Sequence, residues 1–286
     1  MDRKTFDRNR IKIAAFDLDN TVLLNGQMRP AVKQALWDLR ASGIIPVVST
    51  GRCKSMVVPE VASCFQAGSY LNGGYCEAED GTAISVNPMD KSKVEDLFLK
   101  VREAGGEGFF FTSEKRVVSE RCYSISMNWA LQHQKIEYYN LVKSVHDMWK
   151  ADLVEDTLQA LRQETRPVVK VETNFPQTEL KYEFADYSTH VLGFETAIMD
   201  KMSLEITAGG VTKATGVKSI AEHYGYGLEN VVAFGDSSND LAMLRSCGYA
   251  VAMGKADDQI KQCAHYIAPP VTEDGAATAI RTLFSL

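Results

Sequence analysis

The chain has 286 residues, a formal net charge of −6, and 45% hydrophobic against 24% charged residues. That length favours two domains over a single core, and the acidic balance offers no basic field for nucleic acid or an anionic membrane. A phosphorylated ligand would need its positive partners supplied locally.

Residues 11–16 form a short apolar run that ends in Asp17-Leu18-Asp19-Asn20-Thr21. A buried strand there puts two carboxylates at its C-terminal end, the edge at which open α/β sheets bind ligands. An acidic turn is the plainer account of the same five residues, because Asp, Asn and Thr all suit turns. Pro30 then opens a stripe of Val32, Ala35, Leu36 and Leu39 that ends near Gly43, which is helix punctuation. Residues 44–48 read as a second buried strand and 54–65 as a second helix bent at Pro59. This alternation implies a parallel sheet with crossover helices.

The pattern changes near Val86. Val94, Leu97, Phe98 and Val101 mark a helix, 108–111 and 117–119 a strand pair, 147–163 another helix, and 168–172, 191–195 and 203–206 further strands. From Lys213 the first pattern resumes. Val217, Ile220, Ala221 and Tyr224 line a helix, and the strand at 231–234 runs into Gly235-Asp236-Ser237-Ser238-Asn239-Asp240. A helix with Leu241, Met243 and Leu244 follows, then short strands at 250–252 and 266–267. The first ten residues alternate in charge without an apolar stretch, and no apolar run approaches membrane-spanning length, so a cytoplasmic location is expected. The six cysteines lack any C-x-x-C pair, which favours reduced thiols over zinc or disulfides.

Four stretches in this order, Asp17 to Thr21, Val47-Val48-Ser49-Thr50-Gly51-Arg52, Lys213, and Gly235 to Asp240, resemble the motifs DxDxT, Ser/Thr, Lys and GDxxND of the haloacid dehalogenase (HAD) superfamily. Asn72-Gly73-Gly74, Val251-Ala252-Met253-Gly254 and Glu273-Asp274-Gly275 resemble its Cof-type sugar-phosphatase branch. The resemblance implies an α/β fold: a Rossmann-like parallel-sheet core in two segments, 1–85 and 208–286, with an inserted α+β cap domain at 86–207.

It also implies a phosphatase in which Asp17 attacks phosphorus to give an aspartyl-phosphate, Asp19 serves as general acid and then base, and Lys213 neutralises developing charge. By the same resemblance Mg²⁺ would be held by Asp17, the Asp19 carbonyl and Asp236, with Asp240 supporting from behind. Thr50, the Gly51 N–H and Asn239 would bind the phosphate. These residue types suit the chemistry: a carboxylate is already ionised at neutral pH, two close carboxylates raise one pKa, and Mg²⁺ takes oxygen donors. For each residue an ordinary use competes: Thr50 or Ser237 as a helix N-cap, and Lys213 as a solvated surface charge. The stretch from Gly210 to Gly216 lacks the G-K-[ST] order of a P-loop. Two positions depart from the branch pattern. Asn20 stands where Gly is common, and Asn tolerates positive φ; Ala214 follows Lys213 in place of Gly.

The expected partner is a phosphorylated small molecule, a sugar phosphate before a nucleotide, flavin mononucleotide or pyridoxal phosphate, and the expected assembly is a monomer or small homo-oligomer. A phosphotransferase or mutase uses the same four motifs, and a non-catalytic sensor of a phosphometabolite is weaker because Asp17 and Asp19 are both present. Arg121, His133, Lys181 and His190 are polar groups that could read a leaving group, and Tyr123, Trp129, Tyr138, Tyr139 and Trp149 could form a ring-binding wall. None is assigned, since surface and core are the ordinary uses of such residues.

Overall fold

The computed structural model describes residues 5–148, 151–198 and 202–286. They divide into two compact units: Met1–Arg52, Val57–Ser85 and Val211–Leu286 form the first, and Val86–Gly210 with Cys53–Met56 form the second.

The first unit opens with β1 (Ile13–Phe16), a hairpin of β2 (Leu23–Leu24) and β3 (Gln27–Met28), α1 (Pro30–Ala41), β4 (Ile45–Ser49), α2 (Pro59–Ala62), β5 (Ala67–Tyr70), β6 (Tyr75–Ala78) and β7 (Ala83–Val86). The second unit then runs through α3 (Lys91–Glu103), β8 (Glu107–Phe111), β9 (Arg116–Ser119), α4 (Glu120–Gln132), α5 (Ile136–Met148), β10 (Asp152–Val154), α6 (Thr157–Gln163), β11 (Lys170–Asn174), α7 (Leu180–Asp186), β12 (Glu195–Ile198) and β13 (Ser203–Thr207). The chain returns to the first unit with α8 (Lys213–His223), β14 (Val231–Gly235), α9 (Leu241–Ser246), β15 (Tyr249–Ala252), α10 (Asp258–Cys263), β16 (Tyr266–Ile267) and α11 (Gly275–Phe284).

The first sheet has the order β16-β15-β14-β1-β4-β5-β6-β7, with parallel pairing from β16 to β5 and an antiparallel β5–β6 pair. Strand β1 is central and wholly buried, which is why it reads as a continuous apolar run. Ile13 and Ala15 join the core beneath α8 and α9 with Val217, Ile220 and Met243. Phe16 stacks on Phe234 at 4.4 Å between ring centroids. From β1 the chain moves one way to β4 and β5, and later re-enters the sheet on the other side at β14. The order reverses at β1, and in open α/β sheets a reversal leaves a crevice at the strands' C-terminal ends.

The second unit is a six-stranded sheet, β10-β9-β8-β11-β13-β12, mostly antiparallel. One face, with Phe110, Val117, Val171 and Ile206, packs on Val94, Leu97 and Phe98 of α3 and Leu158 and Leu161 of α6. Alternation puts Phe109, Phe111, Arg116, Lys170, Glu172 and Glu205 on the other face.

Three expected elements differ. In place of a helix over 54–65 there are a 3₁₀ turn, Lys54–Met56, and the single turn of α2. Pro59 holds Val58 extended, at φ −63° and ψ 146°, so no helix can run through that point. Residues 149 and 150 of the expected helix at 147–163 lie outside the described residues; the rest is the end of α5, strand β10 paired with β9, and α6 started by Asp156, whose carboxylate accepts from the Leu158 and Gln159 amides. The strand expected at 191–195 begins only at Glu195, after a wide helical turn, Tyr187–Val191, and Gly193 at φ 73°. All six cysteines are free, five of them buried. Among the described residues no helix is long and apolar enough to cross a membrane.

Candidate active site

Asp17 is the first residue past β1. Its amide still donates to the Phe234 carbonyl at 3.0 Å, so the sheet fixes the backbone while the carboxylate stands at the strand end, 5% exposed. The chain turns at once: the Leu18 carbonyl accepts from the amides of Thr21, Val22 and Leu23, and Asn20 lies at φ 57°, the conformation that its replacement of Gly requires. The turn carries Asp19 out of the strand's alternation, leaving its side chain 51% exposed.

Lys213 enters from the start of α8. Thr212 caps that helix through a reciprocal box with Thr215, which places the Lys213 side chain at the first helical position, 1% exposed. Its Nζ donates to Asp17 Oδ1 at 2.6 Å and to Asp240 Oδ1 at 2.7 Å. Close approach at two glycines sets this position. A Cβ on Gly73 would lie 2.3 Å from the Thr212 carbonyl oxygen, and one on Gly216 2.2 Å from Ser69 Oγ.

The last motif folds back on itself. Asp240 Oδ2 accepts from the amides of Asp236 at 2.9 Å and Ser237 at 3.1 Å, and a Cβ on Gly235 would stand 2.6 Å from the Asp240 side chain. Gly235 is therefore the residue that lets Asp240 turn inward. Carboxylate oxygens of Asp17, Asp236 and Asp240 lie within 4.8 Å of one another.

The electrostatics follow from burial. Burial drives the Asp17 carboxyl above its ordinary range against the pull of Lys213. Burial, with Asp240 next, pushes Asp236 up to about 7, opposed by Lys213. On Lys213 desolvation acts downward, but the two carboxylates outweigh it and hold the ammonium protonated. Three acids thus face one ammonium, and a buried excess of negative charge calls for a further cation. Asp240 already spends both oxygens on N–H donors, so Asp17 and Asp236 are the side chains fitted to hold it. The donors are all oxygen, which suits a hard divalent ion.

Thr50, 1% exposed, joins the cluster through backbone. Its amide donates to the Ser69 carbonyl at 2.9 Å, and its own carbonyl accepts from the Asn72 amide at 3.0 Å. Asn239 accepts from Ser237 Oγ at 2.7 Å, and its Nδ2 donates to Asn72 Oδ1 at 3.4 Å. Gly51 lies between Thr50 and Arg52 in the same loop. Three participants carried no role in the sequence reading. Thr21 Oγ1 donates to Asp236 Oδ1 at 3.5 Å, Asn72 ties two motifs together, and Arg52 forks onto Asp19. Each sits inside or next to a quoted motif, which was the available signal.

The sequence profile of the family described as haloacid dehalogenase-like hydrolase matches residues 14–280. The chain belongs to the haloacid dehalogenase-like hydrolases. The Cof-type resemblance and the fold class, a Rossmann-like HAD core with an α+β insert, are both borne out. The chain is 26% identical over 272 residues to the 5-amino-6-(5-phospho-D-ribitylamino)uracil phosphatase YcsE of Bacillus subtilis, covering 95% of each chain. It is 27% identical over 284 residues to the pyridoxal phosphate phosphatase YbhA of Escherichia coli, covering 94% of this chain and 97% of that one. A solved HAD-like hydrolase from B. subtilis shares the fold with a TM-score of 0.81 at 21% identity, covering 95% and 99% of the two chains. As an enzyme the protein stands with the phosphatases of the HAD superfamily.

The polar groups and rings considered in the second unit have varied settings. Arg121 bonds Glu107, His190 pairs with Asp186 in solvent, and Tyr138 and Tyr139 pack beside Trp129. His133 stacks on Trp129 and, with Lys181 and Tyr182, lines a cavity of about 340 Å³. Tyr123 is buried over Arg116, and Trp149 lies outside the described residues.

Proposed function

We propose that the protein is a Mg²⁺-dependent phosphatase that hydrolyses a small phosphorylated metabolite, a sugar phosphate before other classes, through an aspartyl-phosphate on Asp17. The observation that carries this reading is the buried Asp17–Lys213 pair at 2.6 Å at the C-terminal end of the central strand, beside Asp236. A carboxylate so held is oriented, and for a weak nucleophile positioning matters more than deprotonation.

In the first displacement Asp17 forms a bond to phosphorus while the bond to the leaving oxygen breaks, and Asp19 gives that oxygen a proton. In the second, Asp19 takes a proton from water, the water oxygen joins phosphorus, and the Asp17–phosphorus bond breaks. Lys213 neutralises charge on Asp17 and the phosphoryl oxygens, which Thr50, the Gly51 N–H and Asn239 orient. Mg²⁺ would be held by Asp17, Asp236 and the Asp19 carbonyl with Asp240 behind them, and would neutralise phosphoryl charge as a Lewis acid. We assign residues 1–85 and 208–286 to the catalytic core and 86–207 to an α+β cap. The named substrates of the relatives, a phosphoribitylaminouracil and pyridoxal phosphate, support a small organic phosphomonoester and set those two compounds beside the sugar phosphates. The net charge of −6 favours small-molecule over nucleic-acid partners and a cytoplasmic setting.

The test is phosphate release from an aryl phosphate. Wild type with Mg²⁺ is active, and either EDTA or Asp17→Asn lowers the rate at least about a thousandfold. Release that survives both changes would refute the mechanism.

A further inference from the structure

Both carboxylate oxygens of Asp19 are occupied. Arg52 Nε donates to Oδ2 at 2.8 Å and Nη2 to Oδ1 at 2.6 Å, fork against fork. A carboxyl that acts as an acid must carry its proton on one of these oxygens and turn it toward the leaving group. With a guanidinium across both, the carboxylate is turned to Arg52. The pair is the acid in storage.

The base of the arginine is fixed by backbone contacts of its own. The Arg52 amide donates to Thr50 Oγ1 at 3.2 Å, and its carbonyl accepts from the Leu71 amide at 3.1 Å. Leu71, Asn72 and Gly73 all have positive φ, at 55°, 55° and 94°, so this support is itself a left-handed turn held against the loop. The guanidinium therefore springs from the loop that carries Thr50 and Gly51. A phosphate dianion offers the same fork more charge than a carboxylate does.

We propose that Arg52 is a positioning residue that passes from Asp19 to the phosphoryl oxygens of the substrate, so that the acid is freed only when a phosphate dianion is in the site. This rests on Asp19 as the general acid and base. Once freed, Asp19 gives a proton to the leaving oxygen and recovers one from the attacking water. When phosphate departs, Arg52 closes on the carboxylate again.

Competition for one fork can be measured without turnover. With Mg²⁺ present, orthovanadate affinity is compared in wild type, Asp19→Asn, Arg52→Ala and the double variant. Asp19→Asn should tighten binding at least about fivefold when Arg52 is present and less than about twofold when it is absent. Equal tightening in both backgrounds, or none in either, would overturn the proposal, because a bare charge effect does not need Arg52.

A second arm serves if Arg52→Ala fails to fold. Arg52→Lys keeps the charge and loses the fork. In that background Asp19→Asn should tighten orthovanadate binding less than about twofold, because the fork it would release is gone. Tightening as large as in the Arg52 background would count against the proposal. Since the affinity cycle needs no turnover, an inactive wild type would sink the phosphatase reading while the clamp is still judged by binding.

Discussion

Lys213 in the first unit and Lys170 in the second are both buried, and each touches two carboxylates. Lys213 meets Asp17 and Asp240; Lys170 meets Glu172 at 2.8 Å and Glu205. On each lysine desolvation is outweighed by the two acids, and the ammonium is held protonated. The surroundings differ. Around Lys170 the second cation, Arg116, lies over the Phe109 and Tyr123 rings and acts on Glu172, so two cations balance two acids. Around Lys213 a third acid, Asp236, leaves the cluster negative. One partner of Lys170 lies on its own strand and the other on the adjacent strand of the same sheet, whereas the two partners of Lys213 come from segments as distant in sequence as residues 17 and 240. A balanced cluster on a sheet face serves the fold, and an unbalanced one at the strand ends has charge left over for a metal and a phosphate.

The sharpest way to break this contrast is to remove each lysine. Lys213→Met should lower kcat at least about a thousandfold, because it strips charge from the nucleophile and the transferring group. Lys170→Met should cost about 3 kcal/mol of stability by leaving two acids without their cation, yet keep kcat on an aryl phosphate within about threefold. Thermal unfolding and aryl phosphate kinetics on both variants decide it. A Lys170 variant that folds and loses turnover as deeply as the Lys213 variant would erase the distinction.

The charge imbalance also predicts a pH signature in the protein without metal. Asp236 is raised from its ordinary 3.8 to about 7, so the folded state holds this proton more tightly than the unfolded chain does. Stability from this group is therefore complete below pH 4 and is lost as pH rises toward 7, with a ceiling of about 4 kcal/mol. In EDTA at pH 8, Asp236→Asn should be more stable than wild type by about 2–4 kcal/mol, and the gain should vanish near pH 4. Glu205→Gln should show no such gain, since it unbalances a neutral cluster. A difference between Asp236→Asn and wild type that is flat with pH would show that Asp236 carries no buried charge penalty.

The two regions were unequally legible in the sequence. In the first unit the motifs at Asp17, Thr50 and Asp236 follow strands buried along nearly their whole length, so apolar runs and the polar residues that end them show most of the order of the site directly, whereas Lys213 opens a helix. Asn20 at φ 57° is the turn conformation that its side chain tolerates. The orientation of Asp19 was not legible. Strand alternation set it beside Asp17, whereas the turn at Leu18 and the fork of Arg52, 33 residues on, decide where it points. In the second unit α4 escaped because Ser126 sits in its buried stripe with Cys122, Tyr123, Trp129 and Ala130 and weakens the apolar period. Strand β10 exists only through pairing with β9, a tertiary contact that local pattern does not carry.

The smallest effect separates the units most cleanly, because it applies one chemical change to both. Thr212 caps α8, accepting from the Thr215 amide at 3.3 Å, and Asp90 caps α3, accepting from the Ser92 amide at 2.9 Å. Replacing either with Ala should cost about 1 kcal/mol, the usual price of a lost N-cap. The consequences for rate should differ. Lys213 is the next residue after Thr212, and Gly73 packs on the Thr212 carbonyl, so fraying that first turn moves the ammonium bonded to Asp17. Thr212→Ala should lower kcat about three- to tenfold and Asp90→Ala should leave it unchanged, at matched losses of stability. Equal kcat in the two variants would mean that Lys213 is held by its two carboxylates alone, and that the helix start contributes to the fold without tuning the site.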